Sequence, residues 1–239
     1  MPMGGGGTRF GNHGFNVPKP LIEIYSKPFF YWATLSISKF VDISTITFVV
    51  LQEHIDKFQI DKKILEYFPN AKIQIIPSIL PGAILTCLRG VENITNGEPI
   101  LFNDCDHLFI CKNFYDFCND NMYNSIDAGL LTFKSNDPKF SYAVFNNDGF
   151  VIKTVEKEVI SNEAICGAYY FKNKEIFANN TEIYLNNCHY SEFFVSGVYN
   201  VLAERGCKIK SFQVDEHISF GTPSEYNDAQ SSIIYKRLL

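Results

Sequence analysis

"STITFVVLQEHIDKFQIDKKILEYFPNAKIQIIP" (residues 44–77) decides the fold class. Its first part, "STITFVVL" (44–51), is a β-branched apolar run and predicts a buried strand. The next, "EHIDKFQIDKKILEYF" (53–68), has helical spacing and predicts an inner face of Ile55, Phe58, Leu65 and Phe68. "AKIQIIP" (71–77) is a second strand, closed by Pro77. Strand, helix and strand in this order imply a right-handed crossover and a parallel sheet.

Outward from this unit the alternation continues. "GAILTCLRGVENI" (82–94) predicts a helix, and "PILFND" (99–104) and "DAGLLTFKS" (127–135) two more strands. After Asn136 the pattern changes. "FSYAVFNNDGFVIKTVEK" (140–157) holds two alternating runs joined through Asn147-Asp148-Gly149, a hairpin signal. "AICGAYYF" (164–171) and "KIKSFQV" (208–214) predict strands, and "SEFFVSGVYNVLAERG" (191–206) a helix ended by glycine. Thr222-Pro223-Ser224-Glu225 announces a last helix, with an N-cap threonine, proline at N1 and glutamate at N3. The expected fold is α/β: a Rossmann-like, mostly parallel mixed sheet flanked by helices, with a small antiparallel addition in the second half. We expect one domain over 1–239, with a nucleotide-binding half at 1–135, an acceptor-binding half at 136–220 and a C-terminal helix at 221–239.

Composition narrows the function. The chain has 239 residues, 46% of them apolar and 20% charged, which excludes a disordered segment. A net charge of −5 without a basic run argues against nucleic acid as a partner. No apolar stretch approaches the roughly 20 residues of a bilayer span, and the glycines at the start stand where a signal peptide needs an apolar core. Seven cysteines, odd in number and never spaced C-x-x-C, suggest neither zinc nor a disulfide framework. We therefore expect a reducing, cytoplasmic setting with most cysteines acting as small core residues. Oligomerisation is not legible, since Trp32 and the many phenylalanines serve a core equally well.

The chemistry-bearing residues begin with "MPMGGGGTRFGNHGFNVPKPLIEI" (1–24). A glycine-rich turn before a helix lets backbone N–H groups converge on phosphate oxygens. The P-loop pattern needs Gly-Lys-Ser/Thr where Gly-Thr-Arg stands, and the dinucleotide fingerprint needs a glycine where Phe10 stands. On the glycines alone a frayed terminus is the plain alternative. Arg9 adds a permanent charged fork, and Lys19, set between Pro18 and Pro20, is a compact cation on a stiffened backbone. In "LFNDCDHLF" (101–109), Asp104 and Asp106 lie two apart. On an extended segment their carboxylates share a face about 6.6 Å apart. Carboxylates at a strand end repel unless a cation sits with them, and Mg²⁺ on a triphosphate is the natural one. A solvated turn is the plain alternative.

These motifs resemble the nucleotidyltransferase family that activates sugar phosphates and phosphocholine-like compounds. Gly5-Gly6-Gly7-Thr8-Arg9-Phe10 is similar to its phosphate-binding signature and Pro18-Lys19-Pro20-Leu21 to its second motif, with "IEI" and "KPFFYW" following. The resemblance implies that Met3, Gly4, Gly5, Gly6, Gly7 and Thr8 cradle the nucleotide, with Gly82 in "SILPGAILT" (78–86) near the base. Catalysis falls to Arg9, Lys19 and Asp106. Asp106 holds Mg²⁺ with Asp104 as helper. Glu156, Lys157, Gly167 and Glu192 are implied to meet the acceptor. The family carries a full strand before the glycine loop, where only Met1-Pro2-Met3 stand, so a few further residues are expected upstream.

The implied reaction transfers a nucleoside monophosphate from a triphosphate to a sugar 1-phosphate or phosphocholine-like acceptor, releasing pyrophosphate. A cytidylyltransferase that supplies surface-polysaccharide or capsule precursors is the kind implied. One departure stands out: Ser219 occupies the place of a second metal-binding aspartate in many sugar-phosphate members. His217 lies about 6.6 Å back along that strand face and Asp215 about 13 Å. Rival readings are a metal-dependent glycosyltransferase, whose diphosphate-sugar donor needs no triphosphate cradle, and a non-catalytic nucleotide-binding relative.

Overall fold

A computed structural model describes residues 1–120, 122 and 125–238. In chain order the strands are β1 (Pro2–Met3), β2 (Glu23–Ile24), β3 (Lys27–Pro28), β4 (Thr47–Leu51), β5 (Lys72–Ile76), β6 (Ile100–Asn103) and β7 (His107–Ile110). They continue as β8 (Ala128–Lys134), β9 (Ser141–Phe145), β10 (Val151–Glu156), β11 (Glu163–Phe171), β12 (Ile209–Gln213) and β13 (Glu216–Ser219). The architecture is mixed α/β, with a parallel sheet, flanking helices and antiparallel additions. The chain forms two compact units: residues 1–80, 103–110 and 216–239, and residues 81–102 and 111–215.

In the first unit the expected crossover is present. β4 and β5 pair in parallel from Thr47↔Lys72 to Leu51↔Ile76, and β1 lies on the other side of β4. Past Thr47 every residue of β4 is buried, as its apolar run predicts. The helix expected over 53–68 is two helices, Gln52–Phe58 and Ile60–Tyr67, parted by Gln59 in the left-handed region at φ 50°, ψ 41°. That break turns the second helix so that Ile60 and Ile64 are buried, while Leu65, expected on the inner face, is 39% exposed.

The rest of this unit was not legible as strands. β7 and β13 pair antiparallel from Ile110↔Glu216 to His107↔Ser219. The helix Phe29–Ile37 is buried on almost every side, and Phe109 N donates to its Ser36 Oγ at 3.0 Å. Phe10, Phe29, Trp32, Leu108, Phe220 and Tyr235 share one core with these elements. The helix Pro223–Ala229 starts as announced, Thr222 Oγ1 accepting from Glu225 N at 3.3 Å.

The second unit is built on one sheet in the order β10-β9-β11-β8-β12, with β6 on β11. Only β8 and β12 run parallel among the pairs along that order. The hairpin turn is tied by Asn146 Oδ1, which accepts from Asp148 N and Phe150 N. The helix expected from residue 191 starts at Gly197. Upstream, Phe193 N donates to Pro81 O and Phe194 N to the Tyr184 hydroxyl, while Phe193 O accepts from Ile84 N, so these groups are already committed. No helix among the described residues is long and apolar enough to cross a membrane. Five of the seven cysteines are buried, in keeping with core roles.

The buried Tyr199 hydroxyl donates to Gly129 O at 2.9 Å and Tyr170 O at 3.1 Å, pinning its helix to β8 and β11. Tyr199→Phe is expected to cost about 1–2 kcal/mol, read as a lower urea midpoint at unchanged m-value.

Candidate active site

The glycine segment leads from β1 into the single helical turn Thr8–Gly11, anchored by the buried Phe10 edge-on to Phe15 and Phe29. Gly7 caps that turn at φ 60°, and a Cβ there would stand 3.4 Å from Lys19 N and 3.5 Å from Lys19 Cβ. The contacts are ordinary van der Waals ones, and it is the left-handed backbone that favours glycine at this position. Lys19 opens the short 3₁₀ turn Lys19–Leu21, whose φ angles are restricted by Pro18 before it and the buried Pro20 within it. The fold thus seats the glycine loop directly against the lysine's backbone. Thr8 and Arg9 are exposed, and Gly5 has open space beside its Cα. Gly6 faces Ile79 Cδ1, 3.0 Å from an ideal Cβ.

Lys19 Nζ donates to Asp106 Oδ2 at 2.8 Å across 87 positions of sequence, with side chains only 27% and 14% exposed. Burial alone would raise the Asp106 pKa, but the Lys19 ammonium, and then His107, outweigh it and hold the carboxyl below its usual range. Burial likewise works to lower Lys19, and the carboxylate overrides it, leaving the ammonium firmly protonated. β6 ends at Asn103, and Cys105 and Asp106 lie in a turn. The extended segment expected to align Asp104 and Asp106 on one face is therefore not formed. Asp104 still adds its negative charge to the field at Lys19 and Cys105. Burial pushes the Cys105 thiol up to about 12, so it is an unreactive filler.

His107 Nδ1 lies 2.7 Å from His217 Nε2 on the neighbouring strand, one ring donating and the other accepting. Burial, and then the neighbouring His107, push the His217 pKa far down, so it is neutral. Ser219 stands opposite His107. Asp215 is occupied elsewhere, its carboxylate accepting from Lys112 N at 2.7 Å at the start of the helix Lys112–Asn119. Sequence reasoning gave no role to Gly221; the Gly-Thr-Pro run after β13 was the signal available.

Among the described residues no three or more His, Cys, Asp or Glu side chains gather into a metal cage. The donor chemistry nonetheless fits Mg²⁺, which is ordinarily held by one or two carboxylates completed by phosphate oxygens and water. Asp106 Oδ2 is engaged by Lys19, and Oδ1 lies 3.9 Å from His107 Nε2.

In the second unit, Glu156 ends β10 with its carboxylate accepting from Ser141 Oγ at 2.7 Å and from the Ser196 hydroxyl. Burial raises its pKa, against the downward pull of those hydroxyls and Lys157. Lys157 follows at φ 56°, and its ammonium lies over the Phe194 ring, 5.0 Å from the centroid. Exposed Glu192 adds a like charge felt at Glu156. Gly167 sits at φ 75° where β11 slips register against β8 between Ile165 and Tyr169, a bulge. At Gly82 (φ 134°) the close approach comes from the chain itself, since a Cβ would stand 2.4 Å from Phe193 O.

A family profile described as Nucleotidyl transferase matches residues 3–235, and the chain belongs to that family. The fold is shared with the nucleoside-diphosphate-sugar pyrophosphorylase of Vibrio cholerae (TM-score 0.83, 22% identity, 97% of this chain and 98% of that one). It is also shared with UDP-glucose pyrophosphorylase complexed with UDP-glucose (0.73, 17%, 99% and 97%). The inositol-1-phosphate CTP transferase of T. maritima is similar too (0.72, 15%, 99% and 91%). No curated protein matches in the sequence comparison.

Glu156→Gln removes a carboxylate whose folded-state pKa is raised, so its charged form opposes folding at neutral pH and that cost fades as pH falls towards about 4.5. The variant is expected to melt about 2–4 °C above wild type at pH 7, with the gap closing at pH 4.5. Melting curves at the two pH values check the sign.

Proposed function

We propose that the chain transfers a nucleoside monophosphate from a nucleoside triphosphate to a small phosphorylated acceptor, releasing pyrophosphate. The acceptor is a sugar 1-phosphate or a phosphocholine-like compound. The observation that carries this reading is the glycine loop seated on a lysine that is itself paired to Asp106. The whole of 1–239 acts as one nucleotidyltransferase domain in this proposal. Gly4 to Thr8 hold the triphosphate through backbone amides, and Met3 sets the loop's start. Arg9 meets the departing pyrophosphate. Lys19 offsets charge on the α-phosphate as an acceptor phosphate oxygen attacks in line.

Asp106, helped by Asp104, would hold Mg²⁺, which when bound neutralises the triphosphate. In the second unit Lys157 meets the acceptor phosphate. Glu156 and Glu192 orient its body, and the Gly167 bulge admits it closely. The helix opened by Gly82 borders the base. Positioning and charge compensation supply most of the rate in such chemistry. An activated precursor of surface polysaccharide, made in the cytoplasm with a cytidylyl donor, is the product this reading favours. The family membership supports nucleotidyl transfer, and the cytidylyl donor in this proposal leans on the likeness to a CTP transferase.

The test is a pyrophosphate-release screen of four triphosphates against sugar 1-phosphates, phosphocholine and other phosphorylated acceptors. One productive pair is expected, with turnover abolished by EDTA and restored by Mg²⁺. Silence across the whole panel at high protein concentration would discard the assignment. Asp106→Asn and Lys19→Ala are each expected to lower turnover at least about a hundredfold while remaining folded, whereas Cys105→Ser leaves it near wild type.

A further inference from the structure

β13 ends at Ser219, and the chain bends through Phe220 and Gly221 into the capped helix Pro223–Ala229. Gly221 is buried, yet its φ lies outside the left-handed range, so no backbone conformation demands glycine there. What demands it is space. A Cβ at this position would stand 2.4 Å from Asp106 Oδ2 and 3.3 Å from Asp106 Cγ. Carbon and oxygen do not approach to 2.4 Å without one of them moving.

The backbone on the glycine's side is held. Phe220 N donates to Asp106 O at 2.9 Å, and the Phe220 ring is buried against Phe29 with centroids 4.6 Å apart. Beyond it, Thr222 Oγ1 donates to Glu225 Oε2 at 2.9 Å, fixing the start of the helix. That Glu225 oxygen stands 3.6 Å from the same ideal Cβ, closing the other side. The part free to yield is the Asp106 carboxylate, and its threatened oxygen is the one that Lys19 holds.

We infer that Gly221 is a positioning residue for the Lys19–Asp106 pair: its missing side chain is the space in which the Asp106 carboxylate stands. Any side chain at 221 drives that carboxylate off the lysine. The kinetic consequence rests on the proposed nucleotidyl transfer; the steric coupling does not.

The experiment is a double-mutant cycle on Gly221→Ala and Asp106→Ala, followed by melting temperature without ligand and by pyrophosphate release. Gly221→Ala alone is expected to lower Tm and to cut turnover about a hundredfold, the scale of a displaced catalytic group. With Asp106 shortened to alanine the obstruction is gone, and adding Gly221→Ala lowers Tm no further. If Gly221→Ala alone fails to fold, recovery of folding in the double variant supports the inference, and its failure there overturns it. An equal loss of Tm in both backgrounds, or wild-type Tm and turnover in the single variant, also overturns it. An inactive wild-type protein whose two sites still couple in Tm would remove the proposed function and leave the positioning role standing.

Discussion

A lysine and an aspartate withdrawn from water have to be paired, and most of the first unit's odd features follow from that need. The desolvation of each ion costs several kcal/mol, and removing one partner of such a pair costs about 3–5 kcal/mol because the other is left stranded. The pair therefore clamps the proline turn at residues 18–20 to the turn that follows β6. Phe220 N on the Asp106 carbonyl brings in a third, distant segment. Three stretches far apart in sequence thus meet on one residue. Gly221 is a place where a side chain is missing so that this meeting is possible.

The second unit buries a carboxylate under the opposite terms. Glu156 has hydroxyls from Ser141 and Ser196 for partners, with no ion pair to its carboxylate among the described residues, and its proton affinity rises where that of Asp106 falls. Two acids in one chain are thereby pushed apart in character by environment alone. One remains an anion through the neutral range. The other holds a proton more readily than an ordinary glutamate.

How much of this was visible in the sequence depends on how local each cause is. The parallel crossover of 44–77, the hairpin at Asp148-Gly149 and the cap at Thr222 have causes spanning a few residues, and all are present. The glycine loop and Lys19 were found for the same reason, as residue types in a short run. The break at Gln59 and the late start at Gly197 were not legible. Packing decides the first, and hydrogen bonds to Pro81, Ile84 and Tyr184 decide the second. Phe29–Ile37 carries no periodic signal, because a helix buried all round has no polar face. The pairing of β7 with β13 joins segments more than a hundred residues apart, so no window could reveal it. Asp106 was singled out on an extended geometry, and a turn stands where that extended segment was expected.

The same pairing constrains how Lys19 can act under the proposed reaction. An ammonium carries three donors, and one is spent on Asp106. Lys19 can therefore reach a phosphate oxygen without abandoning the carboxylate, provided the substrate arrives on the side away from Asp106. A triphosphate brings several negative charges towards Asp106 and Asp104. Each uncompensated like-charge pair at about 4 Å costs about 4 kcal/mol at an effective dielectric near 20. Arg9 and a half-committed Lys19 cannot offset that sum. Under the proposed reaction the charge at this turn is balanced by a divalent cation arriving with the nucleotide, whatever residue stands at position 219. Ser219 offers no carboxylate to such a cation, and under the proposed reaction it leaves the electrostatic demand unchanged.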